Sequence, residues 1–211
     1  MKQACRDRAM PSDPPALILA SGSSVRTRLL TAAGVEHTVH PADVDEAAVR
    51  DGMTAENASH GDIAEALAEL KAQTVAQTHP GKLVLGADQI LSCDGRVFEK
   101  PRGLPGVRAH LNALMGKEHS LFNAACIVRD GEVVWHHLGQ PVLHMRRLSE
   151  GFVEGYIAAV GEDVCQSVGA YQLEGRGVQL FSRIDGDFFD ILGLPMLPLL
   201  EYLRKQQVIE G

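Results

Sequence analysis

The sequence predicts an α/β fold, and three observations carry that prediction. Leu17, Ile18 and Leu19, and later Leu83, Val84 and Leu85, are short continuous apolar runs of the kind that form buried strands. Between them, Ile63, Leu67, Leu70 and Val75 recur at helical spacing, over about residues 63–75. Asp94-Gly95 and Asp130-Gly131, each between apolar segments, are hairpin turn signals and require antiparallel strands as well. The 211 residues suit one large domain, or two lobes around one core.

The elements follow in order. Residues 1–15, with Ser12, Asp13, Pro14 and Pro15 at their end, read as a disordered leader, and Met10 offers an alternative start. The first strand stops at Ala20 and Ser21. Gly22 permits a tight turn, and Ser23 or Ser24 caps a helix with Arg26 just inside it. Backbone donors, hydroxyls and a guanidinium converge there, which suits a phosphate. The same Gly and Ser also serve an ordinary strand, loop and capped helix. The helix runs through Leu29, Leu30 and Ala33 to Gly34, and residues 37–40 alternate as a short strand that Pro41 ends.

Asp43, Asp45 and Glu46 then crowd into four positions ahead of the long helix, whose C-terminal half carries Lys71. Asp88 follows the second apolar run at its C-terminal end, where open sheets place ligand chemistry. Ile90 and Leu91 extend that strand to Asp94-Gly95, and the return through Val97 and Phe98 brings Lys100 towards Asp88. A helix over residues 107–115 precedes strands over 121–128, 133–137 and 142–145. Phe152, Tyr156 and Ile157 mark another helix, and Gly169, Gly175 and Gly177 signal turns or close backbone approach. Val178, Leu180 and Phe181 read as strand, followed by residues 188–192 and a closing helix over 197–205.

Composition excludes several classes. The formal charge of -7 argues against a general nucleic-acid surface, so any anionic ligand must meet a local cationic site. Cys5, Cys93, Cys126 and Cys165 lie far apart without a Cys-x-x-Cys pair, which suggests free thiols in a reducing cytoplasm. No apolar run reaches the roughly 20 residues of a membrane span, and the N-terminus lacks a signal-peptide core. Gly116-Lys117 lacks the rest of a Walker loop, and Gly175-Arg176-Gly177 lacks the third Rossmann glycine. His136 and His137 are neighbours on a strand and face opposite ways, so they cannot share a metal locally. What remains are polar residues at element ends: Ser21, Ser23, Arg26, Glu46, Lys71, Asp88, Lys100 and Glu174. Any of them taken singly is equally a solvated side chain.

Together they carry a resemblance. LILASGS with Arg26 and Leu29-Leu30, then DVDE at 43–46, Lys71-Ala72, GADQ at 86–89, Asp94-Gly95, EKP at 99–101, GAY with Glu174-Gly175 and Gly177, and Gly193-Leu194-Pro195 resemble the Maf-like nucleotide pyrophosphatases over residues 17–203. The resemblance implies an α/β fold like that of inosine triphosphate pyrophosphatases: an extended mixed sheet flanked by helices, with two lobes around a central cleft, in one domain over residues 16–211. It implies hydrolysis of nucleoside triphosphates to monophosphate and pyrophosphate with a divalent metal, Mg²⁺ first and Mn²⁺ second, and a homodimer.

By the same resemblance, Ser21, Ser23 and Arg26 are the phosphate loop, Glu46 is a metal-side acid, Lys71 and Lys100 bind substrate, and Asp88 is the catalytic and metal-side acid. This chain departs from the family's Ser-Pro-Arg-Arg core, having Ser23-Ser24-Val25-Arg26, so one phosphate-facing arginine is missing, and Arg28 replaces a Glu. Gln89 and Glu174 match the branch that acts on 7-methyl-GTP, whereas the branch hydrolysing deoxythymidine and uridine triphosphates has Thr and Gln there. A Glu suits a cationic methylated guanine; Glu174 is otherwise an ordinary turn carboxylate.

A triphosphate carries about four negative charges, and one contact at ~4 Å is worth about 4 kcal/mol at an effective dielectric of 20 before desolvation. Arg26, Lys71, Lys100 and a metal held by Glu46 and Asp88 would offset it, with Asp88 activating the attacking water. Two alternatives stay open: a nucleotide-sensing or division-linked binding protein with weak catalysis, and a phosphate-ester hydrolase that releases orthophosphate.

Overall fold

A computed structural model describes residues 17–210; the expected leader, the Met10 start and Cys5 lie outside them. Eight strands form one mixed sheet in the order β2-β1-β3-β5-β7-β8, with β4 added beside β3 and β6 beside β5. β1 (Leu17–Leu19) pairs in parallel with both β2 (His37–Val39) and β3 (Leu83–Cys93). The hairpins at Asp94-Gly95 and Asp130-Gly131 then supply antiparallel β4 (Arg96–Phe98), β5 (Glu118–Arg129) and β6 (Glu132–Gly139), and β7 (Val142–Met145) and β8 (Phe181–Asp185) complete the sheet. All four hairpin turn residues have positive φ, as turns of this hand require.

Alternation along the strands assigns the layers. Ile18, Val84, Ala124 and Cys126 face α3 (His60–Ala76), packing on Ile63, Leu67, Ala68 and Val75. Leu17, Leu19, Leu83, Leu85 and Ile127 face the opposite way, against Leu30 of α1 (Ser24–Ala32) and Leu199 and Leu203 of α7 (Met196–Lys205). A third cluster joins the far end of the sheet to Val107, Leu111 and Leu114 of α4 (Gly103–Leu114) and Val153, Tyr156 and Ile157 of α5 (Glu150–Val160). Each large aliphatic side chain buried this way stabilises by about 1.5–3 kcal/mol.

Three expectations are corrected, and one helix was not anticipated. Asp88 is not at a strand end but in the middle of β3, which runs eleven residues. The parallel register with β1 stops at Leu85 and the pairing with β4 starts at Leu91, so a gap opens along this side of β3 and Asp88 lies in it. The unanticipated helix is α2 (Glu46–Ala55), which starts at the last acid of the 43–46 group and is capped by Asp45, whose carboxylate accepts from Ala48 N at 3.0 Å. Leu70 is only half-buried, its place on the core face of α3 being taken by Lys71 and Ala72, while a Ser59–Asp62 capping box starts that helix. Val178 and Leu180 lie in a 3₁₀ turn, Arg176–Leu180, rather than a strand. Gly177 explains it, because a Cβ there would sit 2.4 Å from Gln172 O. Among the described residues no helix is long and apolar enough to cross a membrane, and Cys93, Cys126 and Cys165 are unpaired.

Candidate active site

A cleft of about 640 Å³ opens at the gap along β3, and all eight residues singled out from the sequence, with Gln89, line it. Its floor is set by one close approach. Gly86 and Asp88 share the face of β3 turned to α3, and a Cβ on Gly86 would fall 2.1 Å from Ala68 O. Without that side chain α3 lies close enough for Lys71 to reach the strand. Lys71 Nζ stands 2.6 Å from Asp88 Oδ1 and 2.9 Å from Glu46 Oε1. Lys71 and Asp88 are buried, whereas Glu46, opening α2, is half-buried.

The loop after β1 forms the second wall. Ser23 caps α1 and accepts from Arg26 N at 3.4 Å, while Ser21 Oγ accepts from Ser23 N at 3.3 Å. The Arg26 side chain folds back into the protein: Nε donates to Gly193 O at 2.8 Å, and Nη1 donates to Ala87 O at 2.8 Å and Ser21 Oγ at 3.0 Å. Ala87 O is a ladder carbonyl left bare by the gap, so Arg26 replaces the missing strand. Burial lowers its pKa from the ordinary value, with Asp88 and Glu46 pulling the other way, and a guanidinium stays charged throughout. Both serine hydroxyls act only as acceptors in these bonds, so their O–H groups remain available to donate. The Ser24 and Val25 amides also have no acceptor among the described residues. Together with Arg26 Nη2, they give the helix start the donors that an anion would need.

Asp88 and Gln89 point to opposite faces of β3. Gln89 Nε2 donates to Asp190 O at 2.9 Å and Ile191 O at 3.1 Å, both in α6 (Phe188–Leu192). Two carbonyl partners fix the amide orientation and leave the Gln89 carbonyl oxygen for a ligand. Asn123, opposite Gln89 on β5, holds the buried Asp190 carboxylate at 2.9 Å. Glu174 lies in the late glycine-rich loop and pairs with Arg28 at 2.9 Å. Lys100 lines the same cleft and is exposed.

Arg50 is a basic lining residue that sequence reasoning did not single out. Recognising α2 would have found it, since it follows Glu46 by one turn. His136 and His137 do face apart, towards Glu65 and Asp190 respectively.

Glu46 and Asp88 both meet the Lys71 ammonium, and their carboxylate oxygens are the hard donors that a divalent cation such as Mg²⁺ takes. Among the described residues no group of three or more His, Cys, Asp or Glu forms a closed cage.

Residues 16–206 match the Maf family, described as Maf-like protein. A nucleoside triphosphate pyrophosphatase of Paramagnetospirillum magneticum is 53% identical over 188 residues, covering 89% of this chain and 97% of that protein. The 7-methyl-GTP pyrophosphatase of Mesorhizobium japonicum is 49% identical over 195 residues, 92% of this chain and 98% of its own length. That of Rhizobium meliloti is 48% identical over 197 residues, 93% and 99% respectively. With its loop, acids and lysines gathered in one cleft and its similarity running nearly end to end, this chain belongs to the Maf family.

Proposed function

We propose that this protein hydrolyses nucleoside triphosphates to nucleoside monophosphate and pyrophosphate, with 7-methyl-GTP as the favoured substrate. The observation that carries the reading is Asp88 held by Lys71 in a cleft walled by the Ser21–Arg26 loop. Relatives matched over almost their whole length carry pyrophosphatase names, which disfavours a catalytically silent nucleotide sensor.

Lys71 pins Asp88 Oδ1 and leaves Oδ2 to orient a water and accept its proton. The water oxygen bonds to the α-phosphorus, the bond to the bridging oxygen breaks, and pyrophosphate leaves. Ser21, Ser23, the α1 amides and Arg26 grip the phosphate chain, with Lys100 at the rim. A divalent metal bound by Glu46 and Asp88, Mg²⁺ before Mn²⁺, would neutralise phosphate charge and assist the leaving group. The Gln89 carbonyl accepts from the guanine edge, and Glu174 matches the charge of a methylated base. A cytoplasmic homodimer is the expected setting.

Pyrophosphate release from 7-methyl-GTP, GTP, UTP, CTP and dTTP with Mg²⁺ tests this. Asp88→Asn should lower turnover by at least about 10²-fold while remaining folded, the scale of a lost general base. Orthophosphate as product would sink the reaction, near-normal turnover of the variant would sink the role of Asp88, and preference for dTTP or UTP would sink the roles of Gln89 and Glu174.

A further inference from the structure

The cleft contains a guanidinium to which the reaction above gives no task. Four basic side chains line it: Arg26, Arg50, Lys71 and Lys100. Arg26 gives Nε and Nη1 to Gly193 O, Ala87 O and Ser21 Oγ and keeps only Nη2 for an anion, while Lys71 is paired with Asp88 and Glu46. Arg50 is held differently. It lies one turn after Glu46 on α2, and its ion-pair partner among the described residues is Glu99, with Nη1 at 3.2 Å from Oε1. The Glu99 side chain is 64% exposed and that of Arg50 only 22%. Arg50 Nε is buried and has no hydrogen-bond partner among the described residues.

A guanidinium desolvated along one edge, and tied elsewhere to a wet carboxylate, gains by taking a partner that engages more of its fork. Phosphate oxygens do this, accepting two parallel N–H bonds. The present pair is weak competition, because an exposed carboxylate loses little by returning to water. Charge balance points the same way. The cleft's acids include Glu46, Asp88 and Glu99, Lys71 is neutralised by two of them, and Val25 at the helix start contributes no charge, so a polyanion gains from a further cation beside Arg26 and Lys100.

We propose that Arg50 binds the phosphate chain of the substrate, exchanging Glu99 for phosphate oxygen as nucleotide enters, with Glu99 a place-holder that weakens binding. The inference rests on the triphosphate reading above. Arg50→Gln should raise KM for the preferred triphosphate about tenfold with a smaller change in kcat, Arg50→Lys should recover part of it, and Glu99→Gln should lower KM severalfold. Inorganic tripolyphosphate, which has the phosphate chain without base or sugar, should inhibit the wild type competitively and lose potency in Arg50→Gln by the same factor as KM. A KM within twofold in Arg50→Gln, undiminished tripolyphosphate inhibition, or a Glu99→Gln variant impaired like Arg50→Gln would overturn the proposal. The two readings fail separately. A wild type that releases no pyrophosphate from any nucleotide defeats the enzymatic reading alone, and calorimetric tripolyphosphate binding to wild type and Arg50→Gln then decides on Arg50.

Discussion

Replacing Gly86 with alanine puts a methyl group into the seam between β3 and α3, and the consequence should reach the chemistry. The new Cβ would lie 2.1 Å from Ala68 O and 2.9 Å from Ala72 Cβ and N. None of these is the end of a flexible side chain. A carbon and a carbonyl oxygen settle at roughly 3.3 Å, so α3 must withdraw by about 1 Å. Overpacking costs about 1–3 kcal/mol, and backbone neighbours put this site at the upper end, about 3 kcal/mol. In a chain of this size that lowers Tm by roughly 6–12 °C.

Lys71 immediately precedes Ala72, so the same shift stretches its 2.6 Å contact with Asp88. Misplacing a catalytic group by ~1 Å can lower the rate by ~10²-fold. Urea unfolding followed by circular dichroism and pyrophosphate release read the two effects. Gly52→Ala is the control: Gly52 lies inside α2, its Cβ would meet nothing within 4 Å, and the change should stabilise by about 0.5–1 kcal/mol. A Gly86→Ala protein within 0.5 kcal/mol (about a third of a tenfold change in equilibrium) of wild type, with turnover within twofold, would refute the close-approach argument.

Two further predictions concern single groups. His119 is buried with Nε2 2.8 Å from Tyr171 Oη and Nδ1 without a partner among the described residues, and burial pushes its imidazole down to about 4. A depressed folded value means the fold favours the neutral ring. Its contribution is intact above the unfolded value of about 6.5 and is lost as pH falls towards 4, by up to about 3 kcal/mol. Unfolding free energies at pH 7 and 4.5 should therefore diverge more for wild type than for His119→Gln, and equal slopes would refute the assignment. The Arg28–Glu174 pair is exposed, so Arg28→Ala should change stability by less than about 1 kcal/mol. It also releases Glu174, which should raise the ratio of kcat/KM for 7-methyl-GTP over GTP several-fold. An unchanged ratio would show that Glu174 does not sense the base.

Much of the fold was legible because burial imposes periodicity. The buried strands β1 and β3 are continuous apolar runs, and the two hairpins announce themselves through residues that tolerate positive φ. Helix α2 was not recognised: it buries no residue completely, carries Gly52 in its interior, and its apolar face is short, with Val49 and Met53 against the core. Missing α2 meant missing Arg50. The strand assigned to Val178 and Leu180 failed because the backbone contact between Gly177 and Gln172 sets that turn, and no local pattern records it.

By itself the sequence determined the order of elements, the α/β class, the anionic character that requires a local cationic site, and the set of residues that carry the family resemblance. These are properties of neighbours along the chain, or of composition. Only the tertiary structure decided what each site residue is bonded to. Lys71 and Asp88 are 17 residues apart and Arg26 and Gly193 are 167 apart, and their bonds depend on where α3 and α6 dock. The sheet gap that exposes Ala87 O, the opposite facing of Asp88 and Gln89, and the capture of Glu174 by Arg28 arise from strand register and packing distance. Those quantities are set by how side chains fill space between elements, and no stretch of sequence holds both sides of such a contact.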